Sequence, residues 1–138
     1  MAPSLRAIVP CRLDYREGLG ALLESLCDGV EQTVRFQIIS AFNEAFNNVV
    51  DHAQLRQNQP VQVEADRDAQ QITVRIIDHG VAYQLELPSE QALDMEQPRE
   101  DGLGLLIISR CMDRVTHERD DCNVLTMVKR LDRAAEDR

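Results

Sequence analysis

Apolar residues change their spacing several times along this chain, and each change marks an element. Leu5-Arg6-Ala7-Ile8-Val9 is a short apolar run ended by Pro10, the pattern of a first strand over 5–9. From Tyr15 to about Asp28 the leucines recur at Leu19, Leu22, Leu23 and Leu26, which is helical spacing, with Gly29 as a stop. A longer helix is predicted from about Glu31 to Ala53, with Val34, Ile38, Phe42, Phe46, Val49 and Ala53 as its apolar stripe. After a turn at Asn58-Gln59-Pro60, Val61, Val63 and Ala65 alternate with polar residues, and Ile72, Val74, Ile76 and Ile77 follow beyond a polar turn at Asp66–Gln70. These read as two strands. Residues 79–101 are polar, carry Pro88 and Pro98, and predict a long loop with a helical turn near Glu90–Met95. A helix from Gly102–Leu103 to Met112 comes next. Two strands, Val115–Glu118 and Val124–Leu131, then turn at Asp120-Asp121, and a charged tail covers 132–138.

Helices bunched between pairs of strands predict an α+β two-layer sandwich. The 138 residues suit a single domain with a core over about 5–131, large enough to need no metal or disulfide staples. The formal net charge of −9 argues against general nucleic-acid binding, which needs clustered Lys and Arg, but suits a basic protein partner. Cys11, Cys27, Cys111 and Cys122 form no CxxC pair and are expected to be free thiols in core or surface positions. No apolar run is long enough to span a membrane, and Met-Ala-Pro-Ser-Leu-Arg does not begin like a signal peptide, so a cytoplasmic location is expected. His79 and His117 are expected to be exposed and without a role.

Three segments carry candidate chemistry. In the first, Glu44 and Asn48 are four residues apart and share one helix face, opposite the apolar stripe. A carboxylate there can accept a proton, and an amide oxygen one turn on can ligate a hard cation. Taken alone, Glu44, Asn47, Asn48 and Asp51 read more simply as the solvated side of an amphipathic helix. Two adjacent asparagines in mid-helix nevertheless want a reason. In the second, a strand ends in Asp78-His79-Gly80. A buried Asp at a strand end can accept from an exocyclic amine, and a glycine beside it lets a flat base approach, although Asp-x-Gly is also a common turn. In the third, Gly102-Leu103-Gly104 opens an apolar helix, where outward-facing N–H groups favour phosphate. A lone Gly-x-Gly also serves as an ordinary helix start.

The combination is more specific than its parts. Glu-x-x-x-Asn on a helix, Asp-x-Gly at a strand end, a long polar loop and Gly-x-Gly at a helix start occur in that order. The chain resembles the GHKL (Bergerat) ATP-binding fold, a mixed, mostly antiparallel sheet covered by helices on one face. Within it, the chain resembles the small anti-sigma-factor serine/threonine kinases of bacterial partner switching. The segment 40–53, with Asn43-Glu44-Ala45 and Asn48 through His52-Ala53, is similar to that family's N-box, and 102–113 is similar to its second glycine box.

The resemblance implies ATP and Mg2+ as cofactors, with Asn48 as metal ligand and Glu44 as general base. Asp78 would bind the adenine amine beside Gly80. Gly102, Leu103 and Gly104 would face the phosphates, Arg99 would neutralise charge on the transferred group, and His52 matches the histidine that ends the N-box. The implied partners are a sigma factor and a STAS-domain antagonist phosphorylated on serine, and dimers are common in the family. Two positions depart from its pattern. Ala82 stands where a second glycine is usual, and Cys122-Asn123 stands where Gly-Thr is usual near adenine. Two other readings are a degenerate module that holds nucleotide or sigma factor without phosphotransfer, and an ATP-hydrolysing interaction protein unrelated to sigma factors.

Overall fold

A computed structural model describes residues 2–53, 58–83 and 100–131, with the side chains of 100–102 excepted. Five strands form one sheet: β1 (Ser4–Pro10), β2 (Pro60–Arg67), β3 (Gln71–Asp78), β4 (Arg114–Arg119) and β5 (Asn123–Arg130). Their order across the sheet is β1-β2-β3-β5-β4, and every pairing is antiparallel. Among the described residues, three α-helices, α1 (Arg16–Ser25), α2 (Gln32–His52) and α3 (Glu100–Cys111), accompany it, and a 3-10 turn at Leu13–Tyr15 leads into α1. This is the expected α+β architecture of one sheet accompanied by helices.

Alternation along the strands divides the sheet into two faces. Val61, Val63, Ala65, Ile72, Val74, Ile76, Leu125 and Met127 are buried on the face toward the helices. Arg6, Glu64, Arg75, Thr126 and Thr116 are aligned by register in one row across the other face. β2 and β3 are joined by a turn in which Asp68 Oδ1 accepts from the backbone N–H of Gln70 at 2.7 Å and Gln71 at 2.9 Å.

α2 supplies the middle of the core. Ile38, Phe42, Phe46, Val49 and Ala53 of the predicted stripe are all fully buried, and the rings of Phe42 and Phe46 lie 5.8 Å apart. Each such ring contributes about 1.5–3 kcal/mol of burial. Ala41 and Ala45, small and also fully buried, widen this face. Phe36 points away and is 71% exposed.

The first predicted helix is shorter than expected. It ends at Ser25, and residues 26–29 turn instead, finishing on Gly29 at φ 76°, a left-handed conformation that glycine adopts without steric cost. Leu22, expected in its stripe, is exposed, while Gly20 is buried facing Asn43 of α2. At the other end of the core, Lys129 is fully buried and its Nζ donates to the Cys111 carbonyl at 2.7 Å. A cation at the C-terminus of α3 satisfies a carbonyl that has no partner within the helix. All four cysteines are free, two of them buried and two half-buried.

Candidate functional site

α2 uses its polar residues on two flanks rather than one solvated side. Asn47 Oδ1 accepts from Arg16 Nη1 of α1 at 2.6 Å, and Asn43 Oδ1 lies on the same flank, beside Gly20. Glu44 and Asn48 lie on another flank and are half-buried, not solvated as the simpler reading would have them. Glu44 reaches α3: a Cβ placed on Gly104 would stand 2.7 Å from its Oε2. Asn48 follows one turn on, and its Nδ2 is buried with no hydrogen-bond partner among the described residues. A buried amide N–H donor without a partner costs about 1–3 kcal/mol, so this position suits a hydrogen-bond acceptor such as a phosphate oxygen. His52, a further turn along, is exposed. The ridge Glu44–Asn48–His52 therefore runs about 12 Å along the helix.

Its far end meets a second group of polar side chains. Asp78 closes β3 and is fully buried. Its Oδ1 accepts from the Gly80 N–H at 2.9 Å and from Asn123 Nδ2 at 3.0 Å. Register explains the second bond, since Asn123 opens β5 directly opposite Asp78. Asn123 Nδ2 also donates to the Val81 carbonyl at 2.9 Å, and its Oδ1 is buried and unpaired among the described residues. Asp78 Oδ2 accepts from the Tyr83 hydroxyl at 3.3 Å. The Tyr83 ring stacks on His117 of β4 with centroids 4.8 Å apart, and His52 lies 6.2 Å away on its other neighbour, α2.

Burial, and next the negative charge of Asp78, push the Tyr83 phenol pKa well up, so it stays an O–H donor. Burial lowers the His117 imidazole pKa from its ordinary 6.5, against a smaller opposing pull from Asp78. His117 was expected to be exposed and idle. It is half-buried, stacked on Tyr83, and its Nε2 is buried without a partner among the described residues. His79 is exposed, as expected.

Two of the glycines have packing reasons of their own. Gly80 is expected to give room for a flat base. A Cβ there would also overlap the carbonyl oxygen of Ala53, just past the end of α2, and Val81 N–H donates to that same oxygen at 3.1 Å. Gly80 is thus required where the chain leaving β3 crosses the end of α2. The helix expected to open at Gly102–Leu103 begins at Glu100, which places both glycines inside it. The N–H groups without intrahelical partners are then those of about 100–103, and the absent side chain of Gly104 leaves space for the Glu44 carboxylate. Leu103 is 43% exposed on the first turn of α3. Arg99 and the helical turn at Glu90–Met95 lie outside the described residues.

The structure thus brings together Glu44 with Gly104, and Asp78 with Gly80, with α2 linking the two groups. Sequence reasoning missed Tyr83, the partnership of Asn123 with Asp78, and His117. The resemblance had placed Cys122-Asn123 near the adenine end, and strand register supplies what it did not, the pairing of Asn123 with Asp78. Among the described residues no three His, Cys, Asp or Glu side chains gather into a metal cluster.

No helix among the described residues is long and apolar enough to cross a membrane. The sequence has no match among curated proteins. A solved chain containing the RsbU and RsbW domains of Rv1364c from Mycobacterium tuberculosis shares the fold, with a TM-score of 0.70 at 16% identity over 94% of the present chain. The present chain spans 32% of the length of that one. The family model described as a histidine kinase-like ATPase domain matches residues 10–129, so it takes in α2, Asp78, the glycines of α3 and the strand pair that carries His117 and Asn123. The chain belongs to the histidine kinase-like ATPase domain family.

Proposed function

We propose that this protein is an ATP-dependent protein-serine kinase that also acts as an anti-sigma factor. In this reading it phosphorylates a STAS-domain antagonist and sequesters a sigma factor in the cytoplasm. The observation that carries the reading is the placement of the Glu44 carboxylate against Gly104, one helical turn from the unpaired amide of Asn48. A protein that only held nucleotide would have no use for a carboxylate at that position.

When bound, ATP with Mg2+ supplies the phosphoryl group and the charge that neutralises it, and phosphoryl transfer then depends mostly on positioning. Asn48 would hold the cation through its amide oxygen. Glu44 takes up the proton of the incoming serine hydroxyl at a carboxylate oxygen. Asp78 offers Oδ2 to the adenine amine, since its Oδ1 is already committed to Gly80 and Asn123. Free N–H groups in the first turn of α3 would face the phosphates beside His52, and Arg99, as the resemblance implies, would neutralise charge on the transferred group. The ridge on α2, about 12 Å long, lets one nucleotide extend from the Asp78 end to the Glu44 end. Release of the phosphorylated antagonist follows from adding about two negative charges at a surface of a protein of net charge −9.

The test is transfer of radiolabelled phosphate from ATP to STAS-domain proteins of the same organism. Wild type should label one of them on serine. Glu44→Gln should lower the rate by at least about a hundredfold while nucleotide binding stays within a few-fold. Asn48→Ala should weaken Mg-ATP binding by about tenfold or more in calorimetry. Absence of labelling by wild type, with sigma-factor binding intact, would leave the non-catalytic binding module as the correct reading. Unchanged transfer by Glu44→Gln would remove Glu44 as the base.

A further inference from the structure

Tyr83 occupies the one acceptor of Asp78 that remains for a ligand. Asp78 has no exposed surface, and its Oδ1 already receives two donors. The Tyr83 hydroxyl sits on Oδ2 at 3.3 Å, giving that oxygen the kind of donor an exocyclic amine would give. The ring fills the space between His117 on β4 and the end of α2, stacked at 4.8 Å on the first and 6.2 Å from His52 on the second. A flat heterocycle bound at Asp78 would need this same slot.

The fit of the ring is incomplete in a way that favours replacement. Asn123 Oδ1, which belongs to the same carboxamide that clasps Asp78, has no partner among the described residues, and neither does His117 Nε2 on the ring's stacking partner. Both atoms are buried. A phenol has one polar group, already spent on Asp78, whereas a purine carries polar atoms around its whole edge. Leaving buried polar atoms unpaired disfavours the Tyr83-filled state relative to a base-filled one. The hydroxyl bond is also long for an O–H to carboxylate pair, so it is readily exchanged.

We propose that Tyr83 is a built-in plug of the base site, which must leave Asp78 before a nucleotide can enter, so that the protein's apparent nucleotide affinity is set by how often Tyr83 swings away. The proposal rests on the reading of Asp78 as the base-binding residue. Its consequence is a tax on binding: if the ring covers Oδ2 about nine-tenths of the time, the apparent affinity is about tenfold below that of the open site. The strap that carries Tyr83 is anchored just before it by Val81 N–H to Ala53 and by Arg119 Nη1 to the Gly80 carbonyl at 3.0 Å, so the side chain can move without displacing β3.

Calorimetric titration with Mg-ADP on wild type, Tyr83→Ala and Tyr83→Phe tests this. Tyr83→Ala should bind about tenfold more tightly than wild type, and Tyr83→Phe, which keeps the ring but loses the hydroxyl, should fall between them. The chain has two tyrosines and no tryptophan, so a Tyr15→Phe background leaves Tyr83 as the sole emitter. A phenol bonded to a carboxylate is quenched, and Mg-ADP should therefore raise emission in a saturable way with the calorimetric affinity. Equal or weaker binding by Tyr83→Ala, with Tyr83→Phe also no tighter, would show that the ring is a wall or a stacking partner for the base and would end the proposal. Unchanged emission at saturation would do the same. Failure of all three proteins to bind Mg-ADP would overturn the nucleotide reading itself, and the plug with it. Binding by the variants in the absence of binding by wild type would support the plug strongly.

Discussion

At the scale of single residues, the site depends on what glycine leaves out. Gly104 has no side chain where Glu44 Oε2 stands, and a methyl group there would meet the carboxylate at 2.7 Å. The obstructed atom is the end of a flexible side chain, so the fold can yield by turning Glu44 aside. Gly104→Ala should therefore keep its thermal midpoint within a few degrees while phosphotransfer falls about a hundredfold, the penalty for misplacing a reacting group by an ångström or so. A fall in activity matched by a fall in stability would assign Gly104 to the scaffold instead. The spacing of Glu44 and Asn48 in the sequence already placed them on one ridge. Their partner across the cleft was not legible as a contact, because nothing local ties residue 44 to residue 104.

At the scale of elements, α2 is the part that joins core to site. Its apolar stripe was readable from spacing alone, and all but half-buried Val34 is buried as spacing predicts. Its adjacent asparagines, Asn47 and Asn48, also stood out as an anomaly. The anomaly resolves by flank, with Asn47 bonded to Arg16 of α1 and Asn48 left unpaired toward the site. The C-terminal end of α2 is locked to the chain leaving β3 through Gly80, where a side chain would overlap the Ala53 carbonyl. Here the obstructing atom is backbone and cannot turn aside. Gly80→Ala should cost about 1–3 kcal/mol of stability, read as a shift in the urea midpoint, and should lower stability more than Gly104→Ala does. Equal midpoints for the two variants would contradict this account of the crossing.

At the scale of the whole molecule, the buried polar group around Asp78 links stability to pH. The His117 pKa is lowered on folding, chiefly by burial. Between its folded and unfolded values the unfolded chain binds more protons, so stability rises with pH there. The contribution is complete above the ordinary value of 6.5 and is lost as the pH falls below it. Urea midpoints at about pH 7.5 and about pH 5.5 should show wild type weaker at the lower pH, before most carboxylates titrate. His117→Gln should shrink that difference, and an undiminished difference would place its origin elsewhere. The sequence by itself determined which stretches are extended and which helical, because the period of apolar residues is a local property that neighbours in the chain already possess. It determined, too, the order of the motifs and with it the kinship. Only the tertiary structure decided that Tyr83, His117 and Asn123 surround Asp78, because that meeting depends on the register of β3 against β5 and on β4 lying beside β5. Register sums weak contacts over whole strands, and no short stretch of sequence carries that sum.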